Sequence, residues 1–406
     1  MEIRGLRESE LDEMFNLQCL VFDSDRRERY RQYVLGDPSY RPEQTRVLIV
    51  DGRIISTLRI WDRSIRIGTC PVRMGGIGGV GTHPDHRGKG YAGALMKDSI
   101  TFMKADGFDL SVLFSAIPCS FYRRLGWSSV PLGGFIIKRL RIPSQKRIDW
   151  DVTAFDEERD FDQVISLYDA YNAEQNGSHI RPRSYWNSAP ARLRGILPTV
   201  VARRGDVLGG YLNFQIEDKR ANILEVAWCR NEPSALTALA GRLVKDCKDK
   251  SVEEIHGEIP HEHPLVDLMV EGSGGDLVLS GHDTMMAHIV NPGSLMHKLL
   301  PNLQARLDAS GKKFQPLSFR IDFGGQQCVL SLEAKGQLQA EDEIERGFSF
   351  SLPARYFWRG IFGDTSWCRL EPLLELHGIS IAPEVSALLT ILFPGQDIIY
   401  WGPDHY

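Results

Sequence analysis

A glycine-rich stretch in the first third of the chain combines residue types that bind phosphate groups. It reads VGTHPDHRGKGYA over residues 80–92. Gly88 and Gly90 lack side chains, so backbone N–H groups can point into one concavity, and a helix that begins there adds about half a positive charge. Arg87 and Lys89 supply full positive charges. These residues predict a pyrophosphate-binding turn, whereas an ordinary glycine-rich turn between a strand and a helix is the alternative.

Two familiar phosphate-binding motifs do not describe this stretch. GxxxxGK[ST] is absent, and GxGxxG requires a third glycine within a parallel βαβ unit. The pattern is instead Arg-x-x-Gly-x-Ala at residues 87–92, preceded by Val-x-Thr-x-Pro at residues 80–84. It resembles the coenzyme A pyrophosphate loop of the GNAT superfamily of N-acetyltransferases, which implies acetyl-CoA as the co-substrate. The coenzyme-binding residues that the resemblance implies are Val80, Gly81, Thr82, Arg87, Gly88, Lys89, Gly90, Tyr91 and Ala92.

A second stretch, FYRRLGW at residues 121–127, follows a short apolar run at residues 110–114. It is similar to the GNAT signature F/Y-Y-x-x-x-G-F/W, whose tyrosine points at the coenzyme sulfur. A phenol, with an ordinary pKa of about 10, can donate a hydrogen bond or a proton to sulfur as a thiolate leaves. The resemblance therefore makes Tyr122 the candidate general acid, and a core tyrosine that stacks on Trp127 is the alternative.

The elements that must position these residues follow an α-β-β-β-α-β order. Their periodicity and turn residues predict a helix at 9–22, strands at 47–50 and 53–61 joined by a turn at 51–52, a strand at 74–82, a helix from 90 and a strand at 110–114. Glycines inside the 74–82 strand indicate a β-bulge or a close approach of other backbone or side-chain atoms. The order recurs further along, with a helix at 161–173, strands near 200, 210–216 and 223–229, and a helix at 234–248.

The end of the chain has a different character. It contains short predicted strands at 318–323, 328–333 and 347–351, followed by helices at 355–361 and 383–392. The length of 406 residues favours several domains, and the predicted domains are 1–147, 148–285 and 286–406. In the second domain, RNEPS at residues 230–234 contains no glycine turn before its helix, so we expect no coenzyme binding there. The predicted fold class combines α/β and α+β.

This whole-chain organisation resembles that of the enhanced intracellular survival (Eis) family of acetyltransferases. The resemblance implies tandem GNAT-like domains, the second degenerate, followed by an α+β domain like sterol carrier protein type 2. It also implies a homo-oligomer, since hexamers occur in the family. Family members use their own C-terminal carboxylate as a base, which here would belong to Tyr406. His405, whose ordinary pKa is about 6.5, and a simple surface terminus are the alternatives.

The predicted function is acetyl-CoA-dependent acetylation of a primary amine by direct sequential transfer, with an aminoglycoside, a polyamine or a lysine-like group as the acceptor. Carboxylates would attract such a cation. The residues predicted to bind the acceptor are Asp23, Asp25, Asp404 and His405. Four arginines between residues 26 and 31 make a solvated charged surface the alternative. A covalent route through Cys119 lacks a neighbouring base, and a non-catalytic acyl-CoA- or lipid-binding protein is the competing function.

Composition excludes several classes of protein. Hydrophobic residues make up 42% and charged residues 25% of the chain, with a net charge of −5, which gives no electrostatic reason to expect nucleic-acid binding. No apolar run approaches the ~20 residues that span a bilayer, and the N-terminus lacks a secretory signal pattern, so we expect a cytoplasmic protein without membrane partners. The seven cysteines are scattered, and His261-Glu262-His263 fits a turn better than a metal site, so no metal is expected.

Overall fold

The structure, a computed structural model, describes residues 1–22, 25–140, 149–282, 284–344 and 346–406. These residues form two compact units. Unit 1 consists of Met1–Val130, Asp283–Asp397 and Tyr406. Unit 2 consists of Pro131–His282 and Ile398–His405. None of the described helices combines the length and the apolar character that crossing a membrane requires.

Unit 1 begins with a sheet whose first five strands are hydrogen-bonded in sequence order. Its elements are β1 (Glu2–Gly5), α1 (Leu11–Val21), α2 (Arg27–Leu35), β2 (Thr45–Val50), β3 (Arg53–Ile67), β4 (Cys70–Thr82), α3 (Tyr91–Ala105), β5 (Leu110–Phe114), α4 (Ser120–Arg123) and β6 (Ser128–Ser129). The first four strands pair antiparallel, whereas β4 and β5 pair in parallel. The predicted order of elements is therefore observed, with β1, α2, α4 and β6 as additions.

Local sequence signals account for the turn and the helix that matter most for the site. Asp51 and Gly52 have φ angles of 49° and 76°, which a two-residue turn between right-twisted strands requires. Helix α3 buries Leu95, Met96 and Met103 in the core of unit 1. Burial of each such side chain contributes about 1.5–3 kcal/mol, which anchors the helix that follows the glycine-rich turn.

Unit 2 contains a second sheet, ordered β13-β7-β12-β11-β10-β9-β8. Its elements are β7 (Leu132–Lys138), β8 (Asp151–Ala154), α5 (Glu157–Asn172), α6 (Arg183–Trp186), α7 (Ala189–Leu193), β9 (Val200–Arg204), β10 (Val207–Glu217), β11 (Arg220–Trp228), α8 (Pro233–Asp249), β12 (Glu254–Gly257), α9 (Pro264–Ser273) and β13 (Asp276–His282). Asp156 caps α5 by accepting hydrogen bonds from the N–H groups of Glu158 and Arg159, as an N-cap aspartate does.

The chain then returns to unit 1. The remaining elements are β14 (Met285–Ile289), α10 (Pro292–Ser310), β15 (Leu317–Phe323), β16 (Gln326–Leu332), β17 (Leu338–Glu341), β18 (Phe348–Ser351), α11 (Ala354–Phe362), α12 (Trp367–Leu376) and α13 (Pro383–Leu392). The last four strands form a small sheet, ordered β17-β16-β15-β18. Helix α10 is tied to the first sheet because Lys298 Nζ lies 2.5 Å and Ser294 Oγ 2.6 Å from the buried carboxylate of Asp109.

The compact units differ from the predicted domain boundaries in two places. Strand β7, placed by the prediction in the first domain, pairs with β12 and β13 of unit 2. Strand β14, at the predicted boundary near 285, pairs with β5 and β6 of unit 1. The sheet that a strand joins depends on long-range pairing, which local composition does not reveal. The α/β and α+β fold class is confirmed, whereas the three-domain division stays a prediction.

Candidate active site

The site is built around an irregularity in β4. Its antiparallel pairing with β3 slips so that Gly79 and Val80 both lie opposite Leu58. Gly79 has a φ angle of +60°, which favours glycine, and Gln18 Nε2 donates a hydrogen bond to its carbonyl oxygen at 2.7 Å. The parallel pairing of β4 with β5 ends at Ile77. The two strands therefore separate at the bulge and leave a wedge between them.

A cleft of about 900 Å³ opens at this wedge. The residues that line it are Val21, Phe22, Ile77, Gly78, Gly79, Val80, Thr82, His86, Arg87, Gly88, Gly90, Tyr91, Ala92, Gly93, Phe114, Ala116, Ile117, Phe121, Tyr122, Arg124 and Tyr406. All of them belong to unit 1. Of the predicted coenzyme-binding residues, seven line the cleft, whereas the described residues Gly81 and Lys89 do not.

The glycine-rich turn forms one end of the cleft. Gly88 and Gly90 have φ angles of +79° and +80°, and a Cβ added at either position would meet no atom within 4 Å. Gly90 is the N-cap of α3, so the N–H groups of the first helical turn have no partner within the helix. Arg87 is exposed, and its Nε donates to the carbonyl oxygen of Thr82 at 3.3 Å. An open concavity with main-chain donors and positive charge fits a pyrophosphate.

Tyr122 lies in α4 and faces the same cleft. Its side chain is 7% exposed, and its ring makes edge contacts with the rings of Phe121 at 4.9 Å and Trp127 at 6.5 Å. Burial, together with nearby Cys119, raises the pKa of Tyr122 above its usual value. The phenol therefore keeps its proton at neutral pH, so it can act as an acid and not as a base. The ring thus packs on Trp127 and also lines the cleft, and the role of Tyr122 as a general acid stays a prediction.

Tyr406 lies against the glycines of β4. A Cβ added to Gly76 would stand 2.3 Å from Cζ of the Tyr406 ring, so the ring occupies the space that a side chain would need. Its hydroxyl oxygen lies 3.3 Å from Met74 Sδ and 3.3 Å from the carbonyl oxygen of Val112. Its main-chain carboxyl carbon is 3.4 Å from the position of a Cβ on Gly78. The carboxyl group is therefore held where β4 and β5 separate.

The predicted acceptor residues lie in different surroundings. Asp25 is exposed, and Asp23 lies outside the described residues. Asp404 belongs to unit 2, where it is 1% exposed and accepts two hydrogen bonds from Arg181. His405 also belongs to unit 2, with Nε2 3.8 Å from a carboxylate oxygen of Glu258. A buried, paired carboxylate does not attract a soluble cation, so the position of Asp404 argues against its predicted role in acceptor binding.

Sequence reasoning missed the apolar wall of the cleft. Phe22 and Ile117 are large apolar residues that line it, although they are 53% and 50% exposed. Phe114 also lines it, and its ring lies 6.0 Å from that of Tyr406. Nothing in the sequence around these residues distinguishes them from ordinary core positions. The glycines of β4 did carry a signal, because they predict a bulge or a close approach, and the structure has a bulge at Gly79 and Val80 and the Tyr406 ring against Gly76.

Comparison with known proteins agrees with this geometry. The family model of the acetyltransferase (GNAT) domain matches residues 2–130. No protein of curated function matches the sequence significantly. A GCN5-related N-acetyltransferase from Anabaena variabilis has a similar structure, with a TM-score of 0.73 and 17% identity over 98% of this chain and 98% of that chain.

Two further solved structures have the same architecture. Eis1 from Mycobacterium abscessus matches with a TM-score of 0.67 and 16% identity over 99% of both chains. A GCN5-related N-acetyltransferase from Kribbella flavida matches with a TM-score of 0.70 and 17% identity over 98% of this chain and 96% of that chain. At such identities the likeness concerns the fold. Residues 2–130 thus match the model of the GNAT acetyltransferase domain, and the whole chain has a fold similar to that of Eis1.

Proposed function

We propose that the protein is an acetyl-CoA-dependent N-acetyltransferase that acts on a primary amine by direct transfer. The observation that carries this proposal is the convergence of three features in one cleft. Five residues of the glycine-rich turn at 87–92 line it, and so do Tyr122 and Tyr406. Acetyl-CoA supplies an acetyl group activated as a thioester.

The chain's own residues divide the work of binding. Main-chain N–H groups of the first turn of α3, with the positive end of the helix dipole and Arg87, hold the pyrophosphate. The edge of β4 beyond the bulge, at Val80 and Thr82, has lost its parallel neighbour and can pair with the amide groups of the pantetheine arm. Apolar side chains at the rim exclude water from the reacting groups.

Two groups handle protons. When the amine nitrogen bonds to the acetyl carbon and the carbon–sulfur bond breaks, Tyr122 donates its hydroxyl proton to the departing sulfur. In the 406-residue chain Tyr406 carries an α-carboxylate, and it accepts the proton that the nitrogen releases. An alkyl ammonium of pKa ~10.4 is neutral in only about one molecule in 2,500 at pH 7, a cost of about 4.6 kcal/mol. A carboxylate of pKa ~3.5 cannot remove that proton beforehand, so it accepts the proton after attack has made the nitrogen acidic.

The acceptor is proposed to be a cationic amine such as an aminoglycoside, a polyamine or a lysine side chain. The decisive experiment is to incubate the protein with acetyl-CoA and a panel of such amines. Thiol release is followed by absorbance, and the products are identified by mass. The proposal predicts a gain of one or more acetyl groups on at least one amine with stoichiometric thiol release. A protein that binds acetyl-CoA but releases no thiol with any amine of the panel would instead be the non-catalytic binder.

Three further predictions accompany the proposal. They are a homohexamer, a cytoplasmic location and a C-terminal part like sterol carrier protein type 2. The hexamer and the C-terminal part rest on the family resemblance, whereas the location rests on the lack of a long apolar run and of a secretory signal pattern. Light scattering of the purified chain tests the first of them directly, because a hexamer and a monomer of 45.8 kDa differ sixfold in mass.

A further inference from the structure

Unit 2 repeats the strand separation that creates the cleft of unit 1. Strands β10 and β11 pair antiparallel with a slip that leaves Leu224 without a counterpart between Ile223 and Glu225. The parallel pairing of β11 with β12 ends at Ile223. The bulge and the end of the parallel ladder thus coincide, as they do in β4 and β5. Unit 2 therefore has a wedge in the position where unit 1 has its cleft.

The wedge of unit 2 lacks the means to hold a coenzyme. Residues 230–234 lead into α8 with the sequence RNEPS, and Pro233 is the first residue of the helix. No glycine in this turn gives main-chain N–H groups the open concavity seen at Gly88 and Gly90. A different occupant lies beside the bulge, namely the segment Ile398–His405, which the contacts assign to unit 2.

This C-terminal segment is packed like core structure. Ile399, Tyr400 and Trp401 are at most 3% exposed, and Ile399 and Trp401 belong to the hydrophobic core of unit 2. The turn at Gly402–Asp404 packs on β11, and a Cβ on Gly402 would lie 3.6 Å from the carbonyl oxygen of Leu224. The segment therefore reaches the bulge itself.

Hydrogen bonds fix the segment along its length. The N–H of Ile399 donates to the carbonyl oxygen of Asn176 at 2.8 Å. Trp401 Nε1 donates to Asn172 Oδ1 at 2.9 Å, and the hydroxyl of Tyr400 lies 2.7 Å from His179 Nε2. Because these polar groups are buried, each would lose a partner if the segment left its place.

An ion cluster with no side-chain exposure secures the last turn. Arg181 donates from Nε and Nη2 to the two carboxylate oxygens of Asp404, at 2.9 and 2.7 Å. It also donates to both oxygens of Glu225, at 3.1 and 2.5 Å, and Tyr211 donates to Glu225 at 2.6 Å. The side chains of Arg181, Glu225 and Asp404 are 0% exposed. Removal of one partner from such a pair is strongly destabilising because it leaves a charge uncompensated.

We propose that unit 2 serves as a dock for the C-terminal segment, and that the Arg181–Asp404 ion pair restrains Tyr406, which follows this segment directly along the chain. Tyr406 follows His405 directly and lies two residues beyond Asp404, so an anchored Asp404 restricts where its carboxyl group can be. Arg181 and Asp404 are thus positioning residues, and their effect on turnover rests on the proposed function. In unit 1 the wedge between the strands holds the coenzyme, whereas in unit 2 the corresponding wedge binds the segment Ile398–His405.

Carboxypeptidase A, which removes exposed C-terminal aromatic residues, measures whether Tyr406 is held. The 406-residue protein should lose Tyr406 slowly, and Asp404→Asn should lose it at least ten times faster, at a temperature well below the unfolding transition of either protein. Asp160→Asn is the matched control. Asp160 is also buried in unit 2 and paired with an arginine, Arg203, but it does not contact the segment. The control should release Tyr406 as slowly as the unaltered protein even if it is less stable.

Tyr400→Phe provides a second test should Asp404→Asn fail to fold, because it removes only the hydroxyl that meets His179. A smaller increase in release is expected for it. The proposal would be overturned if Asp404→Asn and Tyr400→Phe lost Tyr406 as slowly as the unaltered protein. It would also be overturned if Asp160→Asn lost Tyr406 as fast as Asp404→Asn.

Kinetics separate this proposal from the proposed function. Asp404→Asn should lower kcat at least tenfold and leave the Kd for coenzyme A unchanged, since the glycine-rich turn is untouched. If Tyr406 becomes susceptible while kcat stays unchanged, the dock is supported and the carboxylate of Tyr406 has no part in the reaction. If the protection is unaltered, the dock is wrong whatever the activity.

Discussion

At the scale of single residues, burial determines which proton Tyr122 can move. Burial, together with nearby Cys119, raises the pKa of Tyr122, so the hydroxyl ionises less readily than a free phenol does. We therefore predict that kcat shows no alkaline decline from this group between pH 7 and 9. We also predict that Tyr122→Phe lowers kcat by about 10²-fold, the scale of general acid catalysis, with the KM for acetyl-CoA unchanged.

The measurement is steady-state kinetics over this pH range. Phe121→Leu is a suitable control, because it alters the neighbouring ring and leaves the phenol in place. An unchanged kcat in Tyr122→Phe would assign the residue a packing role on Trp127 and nothing more.

Gly76 is a second residue with a defined role. An alanine there would place its Cβ 2.3 Å from the Tyr406 ring, a separation that forces the ring to move. Gly76→Ala should lower kcat at least tenfold while the Kd for coenzyme A, measured by calorimetry, stays within a factor of two.

A chain extended by one glycine after Tyr406 keeps the ring in place but moves the carboxylate, and its kcat should fall as well. Retained turnover in the extended chain would remove that carboxylate from the mechanism.

Local sequence patterns could identify those site residues that act together with neighbours close along the chain. The turn at 87–92 and Tyr122 belong to short motifs, and both lie in the cleft. The sequence predicts that Asp404 binds the acceptor because a carboxylate near the end of the chain would attract a cationic amine. Its partner, Arg181, is 223 residues away along the chain, and no local pattern connects two such positions.

At the scale of elements, the junction between β4 and α3 can be tested through charge alone. Gly90 is in the left-handed region and caps α3. Asparagine and aspartate tolerate that conformation comparably, serve equally well as N-caps and have nearly the same size. Gly90→Asp should therefore bind coenzyme A at least tenfold more weakly than Gly90→Asn, since a carboxylate ~6 Å from a phosphate costs about 2–3 kcal/mol at an effective dielectric constant of 20.

Calorimetry at two salt concentrations checks the origin of this difference. Because salt screens exposed charges, the ratio of the two dissociation constants should shrink as ionic strength rises. Equal affinities of the two variants at low salt would mean that the phosphates bind elsewhere.

Elements themselves were predictable where side-chain periodicity and turn chemistry act locally. The predicted strand at 110–114 and the predicted helix at 383–392 match β5 and α13 at both ends. Helix α10 was missed, in part because Pro301 lies inside it and proline normally ends a helix. The crossing of β7 and β14 into different sheets was missed because strand pairing is decided by partners far along the chain.

At the scale of the whole molecule, similar folds arise from sequences that share few residues. The likeness to Eis1 spans 99% of both chains at 16% identity. Units 1 and 2 of this chain also share a feature of strand pairing. In each unit a β-bulge lies at the end of a parallel ladder. Such geometry depends on the pattern of strand pairing more than on particular side chains. Sequence motifs therefore identify the site in unit 1, whereas the role of unit 2 can be inferred only from the structure.

Stability of unit 2 should depend on pH through His263. This residue caps α9, with Nδ1 accepting from the N–H of Leu265 at 3.2 Å, and its Nε2 lies 2.8 Å from the hydroxyl of Tyr171. Because Nδ1 accepts, the ring proton is on Nε2, and a second proton would destroy the cap. Burial, with a smaller contribution from Arg230, lowers the pKa of His263 to about 4. The folded state therefore resists a proton that the unfolded state takes up below a pKa of about 6.5.

The unfolded state binds more protons between these two values, so stability falls as the pH drops from about 6.5 towards 4. At pH 5 the loss from this one group is about 2 kcal/mol relative to pH 7.5. His263→Asn keeps an oxygen that can cap α9 and cannot titrate. Urea unfolding of both proteins at pH 7.5 and 5 should show a drop in the free energy of unfolding that is smaller by about 2 kcal/mol in the variant. Groups other than His263 contribute equally to both drops, so equal drops would mean that the pKa of the imidazole is the same in the folded and unfolded states.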